Sequence, residues 1–175
     1  TAYTNRSREA VQKNNLGPDL PVLLDQTPSV VYTTDAGAGI GYTGLRIRGS
    51  DATRINVTLN GIPVNDAESQ QMYWVNTPDV VSSVSNIQIQ RGIGSSTNGS
   101  SAFGGQISLQ STAIADKPYG EAGVALGSFN TFKGNLRGGT GTLKGGFFAD
   151  ASASWIRSDG YIDRASSDLR SWFAQ

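Results

Sequence analysis

Apolar and polar residues alternate strictly over residues 45–49 (Leu45, Arg46, Ile47, Arg48, Gly49) and again over residues 55–59 (Ile55, Asn56, Val57, Thr58, Leu59). This period-two pattern predicts half-buried strands. Asn60-Gly61 follows the second run directly, and an Asn-Gly pair is the strongest short-range turn signal, so a small antiparallel sheet is expected here. Ile87 and Ile89 alternate with Gln88 and Gln90 up to Arg91-Gly92, and Ile107 and Leu109 alternate with Ser108 and Gln110, giving a third and a fourth strand. Leu20, Leu23 and Leu24 recur at helical spacing, with Pro18 and Pro21 near the start and Thr27-Pro28 beyond the end, which predicts a short helix over residues 19–26. Thr77-Pro78-Asp79 predicts an N-cap with proline at the first helical position, opening a second short helix through Val80, Val81 and Val84. The glycine-rich residues 33–41 and the stretch 93–105 read as loops.

Beyond Pro118 the pattern changes to longer segments with two different faces. Ala122, Val124 and Leu126 share one face of residues 120–128, and Phe132, Gly134, Leu136 and Gly138 oppose Thr131, Lys133, Asn135 and Arg137 in residues 130–138. In the next segment Phe147, Ala149, Ala151, Ala153 and Trp155 oppose Asp150, Ser152 and Ser154. Strands of roughly 9 to 11 residues, apolar outside and polar inside with an aromatic near one end, suit a transmembrane β-barrel wall, because lipid offers the backbone no hydrogen-bond partners. The competing reading is a soluble β-sandwich, whose strands also alternate but usually run to roughly 5 or 6 residues. The expected fold is therefore an α+β unit with a small mixed four-stranded sheet over residues 1–116, followed over 117–175 by the first three to four antiparallel strands of a barrel. So few strands cannot close a barrel, which places most of the wall outside this chain.

Composition narrows the function classes. Fourteen basic and fourteen acidic residues give zero net charge, so nucleic acid is not an expected partner. The absence of Cys and His removes disulfides, thiol chemistry, most zinc sites and His-based acid–base catalysis. No carboxylate pair or nucleophile elbow is apparent, so no catalytic residue, metal site or cofactor is assigned. Residues 39–44 formally match the G-x-G-x-x-G dinucleotide fingerprint, but an alternating strand follows where a helix is needed. The triplets at Asn56 and Asn98 match the glycosylation sequon and carry no weight in an Asn- and Ser-rich chain. Thr1 follows no leader, and the chain stops inside an aromatic, strand-like stretch at residues 171–175, so a fragment is expected. Arg48 and Arg91 each close an alternating run and precede a glycine. Either they are solvated edge charges, or they stand on one sheet and pair with a facing wall.

The ordered series 45–49, 57–63 (through Asn60-Gly61-Ile62-Pro63), 87–92 and 98–109 (from Asn98-Gly99-Ser100 through Phe103-Gly104-Gly105 to Leu109) resembles the plug of TonB-dependent outer-membrane transporters. The helix before it and the wall strands after it fit the same family. The resemblance implies a plug inside a barrel of 22 strands in the cell outer membrane. Such a protein imports a scarce nutrient: a ferric siderophore, haem, cobalamin, a glycan or a peptide. Partners implied are outer-membrane lipid, the nutrient ligand, a surface lipoprotein, and a TonB-type inner-membrane complex that pulls on a segment upstream of Thr1. No such coupling segment is recognisable in residues 1–14. By the same resemblance Arg48 and Arg91 match plug arginines that lock onto wall glutamates, which here would lie beyond Gln175. Outward loops correspond to residues 35–43, 50–54 and 65–74. In them Tyr42, Arg54, Gln70, Gln71, Tyr73 and Trp74 are the candidate ligand contacts, aromatics and amides suiting a large polar molecule. For Tyr73 and Trp74 packing against the wall is an equal alternative. A soluble β-rich binding or adhesion module remains the rival function.

Overall fold

The computed structural model describes residues 2–93, 102–111 and 115–175, so the part of the fourth motif from Asn98 to Ser101, with its sequon, lies outside the described residues. Strand β1 (Ala2–Ser7) leads into helix α1 (Arg8–Gln12), whose first turn is capped by Ser7 Oγ accepting from Ala10 N. Helix α2 is a single turn, Leu20–Leu23, with Asp19 as its N-cap, shorter than the expected 19–26 because Leu24 already closes it. Strands β2 (Val30–Thr34) and β3 (Thr43–Ile47) form a separate two-stranded ribbon. Next come β4 (Ile55–Leu59), β5 (Ile62–Pro63), β6 (Val84–Arg91) and β7 (Gly105–Ser111).

The mixed sheet has the order β1-β6-β7-β4-β5. Two expectations change here. The sheet has five strands, since β3 lies outside it while β1, concealed by its polar sequence, and the two-residue β5 join β4, β6 and β7. The 45–49 run also does not pair with the 55–59 run, since β3 pairs with β2 while β4 runs parallel to β7, Val57 opposite Ile107. The Asn60-Gly61 hairpin forms as its sequence demands, with both residues at positive φ (52° and 82°) and Leu59 opposite Ile62. The expected helix at residues 77–84 is a 3-10 turn, Val80–Ser83, capped by Asp79 rather than Thr77, and Val84 already belongs to β6. Odd-numbered side chains of β4, β6 and β7 (Ile55, Val57, Ile87, Ile89, Ile107, Leu109) pack with Leu20, Leu24, Leu45, Ile47, Trp74 and Val81 into one core.

The second unit is an antiparallel sheet of order β11-β10-β9-β8, made of β8 (Tyr119–Gly127), β9 (Thr131–Gly139), β10 (Asp150–Ser158) and β11 (Ser167–Ala174). Its register stacks Val124 beside Gly134 and Trp155, and Ala122 beside Leu136 and Ala153, on one face. On that face Val124, Leu126, Leu136 and Trp172 are 64% to 85% exposed, while Lys133, Arg137, Asp150 and Ser158 on the opposite face are buried. Phe147 and Ala149, expected on this face of the third strand, precede β10 in the connection from β9. Trp155 packs edge-on against Phe132 at 5.4 Å and donates from Nε1 to Asp168. No helix among the described residues is long and apolar enough to cross a membrane.

Candidate functional site: the seam and the outer loops

The mixed-sheet unit sits against the polar face of the wall through contacts that include the following. Innermost is a charged network around Asp79. Its Oδ1 accepts from Lys133 Nζ at 2.6 Å, from Ser82 Oγ at 2.8 Å and from Asn15 Nδ2 at 3.0 Å. The backbone places Asp79 there: Pro78 precedes it, its φ is +53°, and the 3-10 turn that it caps carries Ser82 on the same side. Lys133 arrives because strand periodicity aims every second residue of β9 inward. A second contact, nearer the chain's start, joins Arg8 of α1 to Glu121 of β8 at 2.5 Å, and Ser83 meets Ser152 at 2.9 Å. Within the wall itself, Arg137 binds Asp150 with both ends of its fork, and Tyr119 shares that carboxylate while its ring lies under the guanidinium.

The third contact joins the glycine-rich loop to the β10–β11 connection. Tyr161 N donates to Ala36 O at 3.0 Å, and the Tyr161 ring covers Gly37, where an added Cβ would come within 2.9 Å of it. Gly37 also has φ +71°, so both backbone and neighbour require glycine. The same loop is tied to α2, since Asp19 N donates to Gly39 O and the Asp19 carboxylate accepts from Thr43 Oγ1 at 2.9 Å. Burial raises the Asp19 pKa to about 6, against the opposing effect of the bonds from Thr43 and Gly41. The folded state thus favours the neutral carboxyl. Its stabilising contribution is complete below the ordinary carboxylate pKa of about 4 and is lost as pH rises through about 6. Anchoring of residues 35–43 is therefore expected to weaken between pH 5 and pH 7.5 by about 1 kcal/mol. Hydrogen exchange of that loop, corrected for intrinsic rates, should show it, and Asp19→Asn should abolish the difference.

Five of the six candidate ligand residues fall in two places. Tyr42 is 65% exposed at the end of the β2–β3 ribbon that meets Tyr161. Arg54, Gln70, Gln71 and Tyr73 gather beyond the other end of β3, at the start of β4. Asn65 organises that group: its Oδ1 accepts from Val57 N, and its Nδ2 donates to Ile55 O and Gln70 O. Gln71 Nε2 then donates to Tyr73 OH at 2.7 Å. Asn65→Ala is expected to cost about 1 to 3 kcal/mol, because backbone groups near β4 lose their partners, and to speed exchange at residues 65–73 more than elsewhere. Trp74 differs from the other five. At 4% exposure it belongs to the core beside Leu45 and Ile55, packed neither outward nor on the wall, and it supports the loop from beneath.

Arg48 and Arg91 lie on different sheets, contrary to expectation, yet the fold brings them together. Arg48 follows β3 at φ +52°, and its Nη1 lies 2.8 Å from where a Cβ on Gly92 would be. Arg91 Nη1 donates to Pro28 O at 3.1 Å, and the neighbouring Ser29 O accepts from Arg48 N. Among the described residues neither has a carboxylate partner. Sequence reasoning missed Asp79, Lys133 and Tyr161. The legible signal was a pair of cations, Lys133 and Arg137, on the inward face of β9.

Comparison with known proteins decides what these two units are. The TonB-dependent Receptor Plug Domain family matches residues 1–106. The chain belongs to that family. No curated protein sequence matches it. Solved structures share its fold: the copper transporter OprC at 15% identity and TM-score 0.74, covering 98% of this chain and 27% of that one. The siderophore receptor PirA from Pseudomonas aeruginosa aligns at 18% identity and TM-score 0.71, covering 98% and 31%. The ferric yersiniabactin uptake receptor FyuA from Yersinia pestis aligns at 16% and 0.64, covering 90% and 24%. This chain thus spans less than a third of the length of each of these. The mixed sheet is the plug, the apolar-faced strands are barrel wall, and the protein is an outer-membrane receptor of a family that is not enzymatic. The soluble binding or adhesion module is not favoured.

Proposed function

We propose that this chain is the gate of an energy-coupled importer, the plug closing a barrel whose wall begins with β8 to β11. The observation that carries the reading is the seating of the mixed sheet on the polar face of a sheet whose other face is exposed and apolar. The residues at the start of β4 (Arg54, Gln70, Gln71, Tyr73), together with Tyr42 at the glycine loop, contact the incoming nutrient. Arg48 and Arg91, side by side and without carboxylate partners among the described residues, lock onto glutamates of the remaining wall. A TonB-type complex acts from the inner membrane through a segment preceding Thr1. The cargo is a scarce nutrient of the siderophore, haem, cobalamin, glycan or peptide kind.

Uptake of a labelled panel (ferric siderophores, haem, cobalamin, oligosaccharides, peptides) by cells with and without the full-length protein tests this, each with and without a protonophore. One cargo should enter only when the protein is present and the cells are energised. Uptake that ignores the protonophore, or binding without entry of any of them, would contradict the proposal.

A further inference from the structure

Lys133 and Arg137 are the two buried cations of the wall's inner face, and they are neutralised differently. Arg137 takes its carboxylate from the wall, Asp150, whereas Lys133 takes its own only from the plug, with side-chain exposures of 3% for Lys133 and 1% for Asp79. Asp79 reaches it from a left-handed backbone, a conformation a non-glycine residue keeps only where its surroundings over-determine it. Beside the pair lies a cavity of about 300 Å³ between plug and wall, lined by Asp79, Ser82, Asn135, Arg137 and Ser154 among others. Three buried polar atoms of these residues have no partner: Asp79 Oδ2, Arg137 Nη1 and Ser154 Oγ. The cavity has room for several waters.

We infer that Asp79 and Lys133 form the latch seating the plug on β9, and that water entering through the adjoining cavity releases it. With both side chains almost fully buried, attraction across 2.6 Å is weakly screened. Removing one partner then leaves the other stranded and uncompensated. Water arriving at Asp79 Oδ2, already short of a donor, replaces the lost attraction step by step. After separation Lys133 faces the lumen and Asp79 faces solvent, so neither ion is stranded and the latch re-forms. This rests on the plug-and-wall reading but not on which nutrient is carried.

The test uses the full-length protein reconstituted in bilayers, read by amide exchange of the turn Val80–Ser83 and by planar-bilayer conductance. Lys133→Met should speed exchange there by roughly a hundredfold and produce channel openings absent from the wild type. The exchange of charges, Asp79→Lys with Lys133→Asp, should return both readings toward wild type. Ser154→Leu, which fills and dries the cavity, should slow exchange at the turn while conductance stays closed. Wild-type exchange in Lys133→Met, or a charge exchange as leaky as the single variant, overturns the latch. Unchanged or faster exchange in Ser154→Leu overturns the role of water. These outcomes concern a barrel that still inserts and shifts on heating, whereas failure of the parent to insert at all would defeat the importer reading instead.

Discussion

Truncating Ile107 to alanine is expected to cost the plug about 2 to 5 kcal/mol, enough to consume much of a small domain's stability. Ile107 sits at the centre of the mixed sheet, opposite Ile89 on β6 and Val57 on β4, and all three side chains are at most 2% exposed. Neighbours on both sides are held by strand ladders, so the space left behind cannot close by a local shift. Denaturant titration of the plug's exchange-protected amides should register the loss across β4, β6 and β7 together. Loss confined to β7 would mean that the three strands do not share one core.

Replacing both Arg48 and Arg91 by alanine should leave the plug folded, because each side chain makes little contact with the core, yet unseat it. Under the proposed lock, passage of a hydrophilic solute too large for general porins should rise by roughly tenfold or more, and energised uptake should fall correspondingly, since one-sided removal would leave the lock's carboxylates unpaired. Whole-cell permeation and uptake of the cargo measure the two effects. Wild-type seating and uptake in the double variant would dismiss the arginine lock and return both residues to the role of solvated edge charges.

How much of this could be read from the chain follows the range of the interactions concerned. Strands β4, β6 and β7 and the hairpin at Asn60-Gly61 were legible, because alternation and turn chemistry are written within a few residues. The wall strands were legible for the same reason, except that the third begins at Asp150 rather than Phe147. Strand β1 was not, because its sequence Ala-Tyr-Thr-Asn-Arg-Ser buries no large side chain deeply and gains its order from pairing with β6. Pairing order was also hidden. The parallel β4–β7 contact joins segments 50 residues apart, Ile55 with Gly105, and no local signal specifies it. Of the site, the exposure of Tyr42 agrees with the loop reading, whereas Trp74 looked like a loop aromatic and proved to be core, since the chain turns inward at the 3-10 turn Trp74–Asn76. Asp79 read as part of a short helix's opening and Lys133 as one of several polar residues on the wall's inner face, and only the fold discloses that they face one another.

The central claim is that one face of β8 to β11 meets lipid while the other carries the plug. Nitroxide labels placed singly at residues 151 to 155 of the full-length protein in bilayers test it most directly, through collision with oxygen and with a water-soluble nickel complex. The account predicts high oxygen and low nickel accessibility at positions 151, 153 and 155, alternating with shielded positions at 152 and 154. Low accessibility to both agents at 151, 153 and 155 would place that face inside protein, and the wall assignment, with the gate built on it, would be wrong.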